Sequence, residues 1–232
     1  MQLFYAPDIT ENPELPQEEA GHCLRVLRLG EGDEIHLTDG KGCFYKAVIK
    51  RAHPKHCEIT ILEKEKQLPL WDFHLHLAIA PTKNMDRMEW FVEKATEIGI
   101  NLVTCLQCHH SERKEIKTQR LEKIMISAMK QSHKATLPSL TGMVPFKQFI
   151  QQPFDGRKFI AHCEEGEKRL LSHLYSKGEN ALVLIGPEGD FSPEEIALAL
   201  EYGFEPISLG ESRLRTETAA LVACQTIHVL NQ

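Results

Sequence analysis

The run Ala181-Leu-Val-Leu-Ile-Gly-Pro-Glu-Gly-Asp-Phe-Ser-Pro-Glu-Glu-Ile196 constrains this chain more than any other segment. Five apolar residues without a polar break predict a strand buried on both faces, the habit of parallel sheets covered by helices. Gly186 stops the strand. Ser192 then predicts a helix N-cap, Pro193 suits the first helical position, and Glu195 completes a capping box. Strand, glycine-bearing loop and helix in that order point to an α/β fold.

The same grammar extends back to His74. His74–Ala80, Leu102–Leu106 and Lys158–Cys163 also read as strands, and Asn84–Ile98, Lys117–His133, Pro193–Tyr202 and Thr216–Leu230 as helices. Strands alternating with helices imply a parallel sheet covered on both sides. The first seventy residues differ. Gln17–Arg28 puts Ala20, Cys23, Leu24 and Leu27 on one helical face, and Glu34–Thr38, Phe44–Lys50 and Cys57–Glu63 read as short strands. Closely spaced short strands suggest a small barrel. The charged stretch from Glu63 to Pro69 is the expected linker.

At 232 residues, with 42% hydrophobic and 26% charged residues, the composition is that of a soluble globular protein and excludes a fibrous or mainly disordered chain. The opening MQLFYAPDITENPELP has neither a basic region nor an apolar one, so no signal peptide is expected. The seven scattered cysteines are read as reduced cytoplasmic thiols, and no membrane span is expected. The net charge of −6 divides unevenly: −3 over residues 1–70, +3 over 71–150 and −6 over 151–232. The middle third is therefore where a phosphate-binding surface is to be sought.

A glycine loop at the carboxyl end of a parallel strand is either a tight turn or a ligand loop, and open α/β sheets bind ligands there. This one lacks the Lys-Ser/Thr of a P-loop and is not G-x-G-x-x-G. Glu188 and Asp190 add negative charge, which favours a ligand without phosphates, or a cationic one. A second polar loop, Leu209-Gly-Glu-Ser-Arg-Leu-Arg215, leads into a helix starting at Thr216 and Glu217. Arg213 and Arg215 are either anion-stabilising groups ahead of a helix N-terminus or surface residues paired with nearby Glu.

Together IGPEG, the Ser-capped helix, LG and LRTETA resemble the SPOUT-class RNA methyltransferases, and more narrowly the RsmE family of 16S ribosomal RNA (uracil-N3)-methyltransferases. The likeness spans nearly the whole chain. It includes His22-Cys-Leu-Arg-Val-Leu-Arg28, Lys83 to Glu89, Lys94 to Gly99, Ser111–Arg113 and Gln131-Ser132. The resemblance implies a PUA-like RNA-binding barrel over residues 1–68 and a SPOUT α/β domain over 72–232 with a C-terminal trefoil knot. It implies a homodimer, S-adenosylmethionine as cofactor, and methylation at N3 of uridine 1498 in 16S ribosomal RNA of the small subunit. The cofactor residues carried over are Ala161, His162, Ile185, Gly186, Pro187, Glu188, Gly189, Leu209, Gly210, Leu214, Arg215, Thr216, Thr218 and Ala219. Two other readings stand beside it, a related enzyme acting on another ribosomal or transfer RNA nucleotide and a ribosome-binding module without catalysis.

The chain departs from the family pattern at three places. Asp190 stands where a glycine is usual, Ser212 and Arg213 replace an arginine and an apolar residue, and no arginine occurs among the first five residues. Methylation at uracil N3 requires loss of the imide proton. Arg215 is the expected stabiliser of the developing charge, and Glu217 either orients Arg215, accepts the proton, or merely favours the helix N-terminus. For RNA, Arg120, Lys123, Lys130 and Lys134 are expected along one helical face, joined by Arg25, Arg28, Lys83, Arg87, Arg113 and Gln131. Cys105-Leu-Gln-Cys108-His109-His110 is read as packing and loop, so no metal is expected. The last helix, apolar around most of its circumference, is expected to be buried, either in the core or in part against a second subunit.

Overall fold

The computed structural model describes residues 2–232 and separates into two compact units. The first contains the chain up to Leu70 together with Ile126–Leu137. Its sheet has the order β1-β3-β4-β5-β2, with β1 (Leu3–Tyr5), β2 (Glu14–Leu15), β3 (Glu34–Thr38), β4 (Cys43–Arg51) and β5 (Cys57–Lys66). β1 and β3 run parallel, and the other pairs are antiparallel. Alternation sends Ile35, Leu37, Tyr45, Ala47, Ile49 and Ile59 to one core with Phe4. Register shifts after Lys46 and Ile49 mark bulges, the device by which a long strand bends. The turn between β3 and β4 is built on Asp39, whose Oδ1 accepts the N–H groups of Lys41 and Cys43 and whose Oδ2 accepts the Tyr45 hydroxyl.

Two expectations for this unit need correction. The stretch read as a linker begins as strand, because Glu63–Lys66 pairs with Cys43–Lys46, and its alternating charges are those of a strand exposed on both faces. The expected helix over 17–28 is α1 (Gln17–Gly21) followed by a π-helical turn, His22–Val26. The wider turn rotates the later residues, so Ala20 and Cys23 are buried while Leu27 is exposed. The segment 126–137 lies inside the range expected for the second domain. It packs in the first unit, where Ala135 O accepts the Thr38 hydroxyl and the Gly42 N–H, and Leu137 N–H reaches Gly40 O.

The second unit, Trp71–Met125 with Pro138–Gln232, holds a seven-stranded, wholly parallel sheet of order β10-β12-β9-β11-β6-β7-β8. Along the chain run β6 (Leu75–Ile79), α2 (Met85–Ile98), β7 (Leu102–Gln107), α3 (Thr118–Gln131), β8 (Ser139–Pro145), α4 (Phe146–Phe149) and β9 (Arg157–Ala161). Then come β10 (Arg169–Leu170), α5 (Leu171–Leu174), β11 (Ala181–Ile185), α6 (Pro193–Glu201), β12 (Glu205–Ser208) and α7 (Thr216–Leu230). Central β11 is buried at all five residues, as its unbroken apolar run requires. Gly99 ends α2 at φ 139°, and a Cβ there would meet the His228 and Trp71 rings at 2.7 Å. Within the chain α7 is buried on one side only, by Ala220, Ala223, Cys224 and Ile227. Leu221 and Val222 are half-buried and Val229 is 52% exposed, so within one chain the helix is not enclosed by the core alone.

Candidate active site

Three loops leave neighbouring strands at the carboxyl edge of the parallel sheet. After β9 comes Ala161–Cys163, after β11 Ile185–Asp190, and after β12 the segment that reaches α7. They enclose two adjoining cavities of about 470 and 310 Å³, within the ordinary size of small-molecule sites. The larger is lined by Ala161, His162, Cys163, Lys168, Ala219 and the stretch from Ile207 to Leu214. The smaller takes Ile185, Gly186, Pro187, Glu188 and Asp190 on one side and the stretch from Arg213 to Thr216 on the other, with Ala161, Cys163 and Ala219. Of the expected cofactor residues, Gly189 lies in the same turn but against His110, where a Cβ would sit 3.1 Å from the His110 Cβ. Thr218 lines a third cavity of about 560 Å³, with Asp86, Arg87, Trp90, Arg213, Leu214, Arg215 and Glu217. Arg213, Leu214 and Arg215 line both this cavity and the smaller of the first two.

Local sequence dictates this shape. Gly186 lets the chain turn back onto Phe191, whose ring would lie 3.1 Å from a Cβ at that position. Asp190 N–H closes the turn on Pro187 O at 2.9 Å, and Asp190 itself takes φ 64°. Ser192 caps α6 in a complete capping box. The Glu195 carboxylate also accepts the His109 N–H at 2.8 Å, which fixes the loop after β7. Glu188 accepts the Lys83 N–H at 2.9 Å just ahead of α2, so part of the loop's negative charge meets a helix N-terminus. The Arg113 guanidinium donates to the Thr82 and Lys83 carbonyls and holds the same corner.

The groups in the third cavity are unevenly satisfied. Glu217 is 6% exposed. Its Oε1 lies 3.7 Å from Arg87 Nε, and its Oε2 is enclosed without a hydrogen-bond partner among the described residues. Glu217 therefore faces Arg87 and makes no ion pair with Arg215 among the described residues, so of its three readings the orienting of Arg215 has no contact behind it. Arg213 and Arg215 are exposed, and neither forms an ion pair among the described residues. In the larger cavity, burial and then the Lys168 charge lower the His162 pKa, which keeps the imidazole neutral. Its Nδ1 is enclosed and likewise lacks a partner among the described residues.

Several of the expected RNA-contacting cations are already paired or buried within their own unit. On α3, Arg120 pairs with Glu89 at 2.5 Å and Lys130 with Glu19 at 2.5 Å, and Lys134, past the end of the helix, is only 8% exposed. The expected cationic face is therefore broken up by carboxylates and burial, while Lys123 and Gln131 are exposed. Lys83 pairs with Glu112 at 2.8 Å, and Arg25 and Arg28 are exposed. Burial pushes the Cys105 thiol up to about 12 and raises Cys108 as well. No group of three or more metal-ligating side chains exists among the described residues. Sequence reasoning missed Trp90, Asp86, Cys163 and Lys168 as lining residues. Asp86 and Trp90 stand at i and i+4 on α2, one turn apart, which was the available signal.

A parallel α/β unit with a ligand cleft of loops at its carboxyl edge, joined to a small mixed-sheet unit, defines the class. The chain belongs to the RNA methyltransferase family, whose domain model matches residues 69–228, and a model of the RNA methyltransferase PUA domain matches 15–62. Its relatives narrow this further. It is 28% identical to the ribosomal RNA small subunit methyltransferase E of Bacillus subtilis, over 90% of this chain and 87% of that one. A probable rRNA-methyltransferase structure from Porphyromonas gingivalis shares 50% identity at a TM-score of 0.95, covering 100% of this chain and 98% of the other. The ribosomal RNA small subunit methyltransferase E from Neisseria gonorrhoeae, solved bound to S-adenosyl methionine, shares 27% identity at a TM-score of 0.85, with coverage of 100% and 98%. The resemblance to the RsmE family thus extends from end to end of the chain.

Proposed function

We propose that this chain transfers a methyl group from S-adenosylmethionine to N3 of a specific uridine in 16S ribosomal RNA of the small subunit. The observation that carries the reading is the junction of the cavities at Arg213–Arg215, where the cleft read as the cofactor's and a space containing a buried carboxylate with one unpartnered oxygen share one wall. The residues present fit the cofactor. Gly210, at φ 121°, turns its backbone toward the larger cavity with nothing within 4 Å of a Cβ position, and His162 Nδ1 offers an unused polar atom. S-adenosylmethionine supplies a methyl group on a cationic sulfur and carries no phosphate, in keeping with the absence of a P-loop. Ala161, His162, Ile185 to Gly189, Leu209, Gly210, Leu214 to Thr216, Thr218 and Ala219 are the residues assigned to holding it.

The chain's own groups account for the acceptor side. Trp90, 42% exposed on the wall of the third cavity, is the aromatic group assigned to stacking with a base. Glu217 Oε2 accepts the N3 proton, while Arg87 fixes the other carboxylate oxygen. Arg215 stabilises the charge that builds on the uracil oxygens. Two copies acting together, with the apolar side of α7 exposed in one chain as their contact, and a cytoplasmic location complete the reading. Methylated nucleotides mapped in 16S ribosomal RNA from cells lacking the protein test it. Loss of a single N3-methyluridine that returns on complementation is expected, and an unchanged pattern overturns the assignment.

A further inference from the structure

Asp190 adopts a backbone conformation that side chains other than glycine rarely take, φ 64°, at the mouth of the smaller cavity. Its side chain explains why an aspartate is held there. The β9–β11 ladder ends at Ala161↔Ile185, beyond which the two chains diverge. Asp190 Oδ2 accepts the Cys163 N–H at 2.6 Å, and so adds a tie between the two loops past the last strand pair. Oδ1 accepts the Phe191 N–H at 2.8 Å, which fixes the carboxylate's own rotamer. The Asp190 carbonyl lies 3.1 Å from His110 Nδ1, which brings in the loop after β7. Three loops thus meet at one residue, and two of them, through Ala161, Cys163 and the stretch from Ile185 to Glu188, wall the smaller cavity.

We infer that Asp190 is a positioning residue for the cofactor cleft, tying the loop after β9 to the loop after β11 so that the cleft is pre-shaped before its ligand arrives. A pre-formed cleft binds more tightly because ordering the loop is no longer charged against association. The inference rests on the methyl-transfer reading of the cleft. Asp190 is not assigned to the reacting atoms, so its loss should weaken cofactor affinity and spare the chemical step.

The test uses the full chain, with S-adenosylmethionine titrated calorimetrically into wild type, Asp190→Gly and Asp190→Asn. Glycine relaxes the left-handed backbone but removes the tie to Cys163 and the bond to Phe191, so the two effects offset and Asp190→Gly should leave the melting temperature nearly unchanged. It should also bind the cofactor about tenfold more weakly, raise KM for it by a similar factor and keep kcat within twofold. Hydrogen exchange at the Cys163 amide should accelerate. Asp190→Asn tolerates this backbone and keeps one acceptor oxygen, so it should recover part of the affinity. Wild-type affinity in Asp190→Gly overturns the inference, as does a kcat that collapses while KM is unchanged. No binding to wild type overturns the functional reading itself.

Discussion

Arg215 and Glu217 stand two residues apart and are treated in opposite ways by the fold. The arginine is exposed and without an ion pair among the described residues, whereas the glutamate is buried with one oxygen turned to Arg87. Arg215→Ala should lower methyl transfer about a hundredfold or more, the scale of losing an oxyanion donor. Glu217→Gln keeps the shape and removes the proposed base, so kcat should fall by about 10²–10⁴. Single-turnover kinetics on both variants check this, and near-normal turnover in either removes that residue from the chemistry. His76 gives a separate prediction. It is 6% exposed, bonded to Thr104 Oγ1 at 2.8 Å and packed on Phe149, and burial, with the neighbouring His74, lowers its pKa from 6.5 to about 4. Between those values the unfolded chain binds more protons than the folded one. The stability this provides is complete above pH 6.5 and is lost as pH falls toward 4, by about 3 kcal/mol in all. Urea midpoints at pH 7 and 4.5 should show that loss in wild type and a smaller one in His76→Gln.

The elements differ in how plainly the sequence announced them. β11 and α7 have the bounds that their apolar run and Thr216 start predict, and α6 begins at the expected Ser192 cap. Ser192→Ala should cost about 1 kcal/mol, read as a shift in the chemical denaturation midpoint without a change of slope. The loops after β11 and β12 were legible as candidate ligand loops because glycines and strand ends mark them, whereas the loop after β9 came only from the family resemblance. The strands β1, β2, β8 and β10 were not, being short or half-exposed, with no alternation long enough to detect. The π-helical turn was equally hidden, since a single added residue per turn leaves the local composition unchanged. Partner choice escaped as well. Charge spacing put Arg120 and Lys130 on one helical face, but the carboxylates that neutralise them, Glu89 and Glu19, come from distant segments.

At the scale of the molecule, exposed charge and apolar surface give two predictions. Lys83, Arg120 and Lys130 are paired with carboxylates and Lys134 is buried, which leaves fewer cations for phosphate. RNA affinity should therefore fall with salt, but with a modest slope, of the order of 3–5 phosphate contacts rather than ten. Filter binding to a small-subunit RNA fragment between 50 and 200 mM salt checks this, and a flat response counts against RNA contact by these residues. The half-exposed apolar side of α7, with Val229 at 52%, supports self-association. Sedimentation velocity of wild type and Val229→Glu should separate a dimer from a monomer.

The central place of β11 has a kinetic corollary. Its neighbours β6 and β9 come from separate stretches of chain, and β12, the last strand made, docks outside β9. Contacts between distant stretches form late, because long loops must close first. On dilution from denaturant, helical signal should therefore recover ahead of any capacity to retain the methyl donor. The catalytic hollow is among the last features to mature, so ligand retention is a stricter gauge of renaturation than circular dichroism.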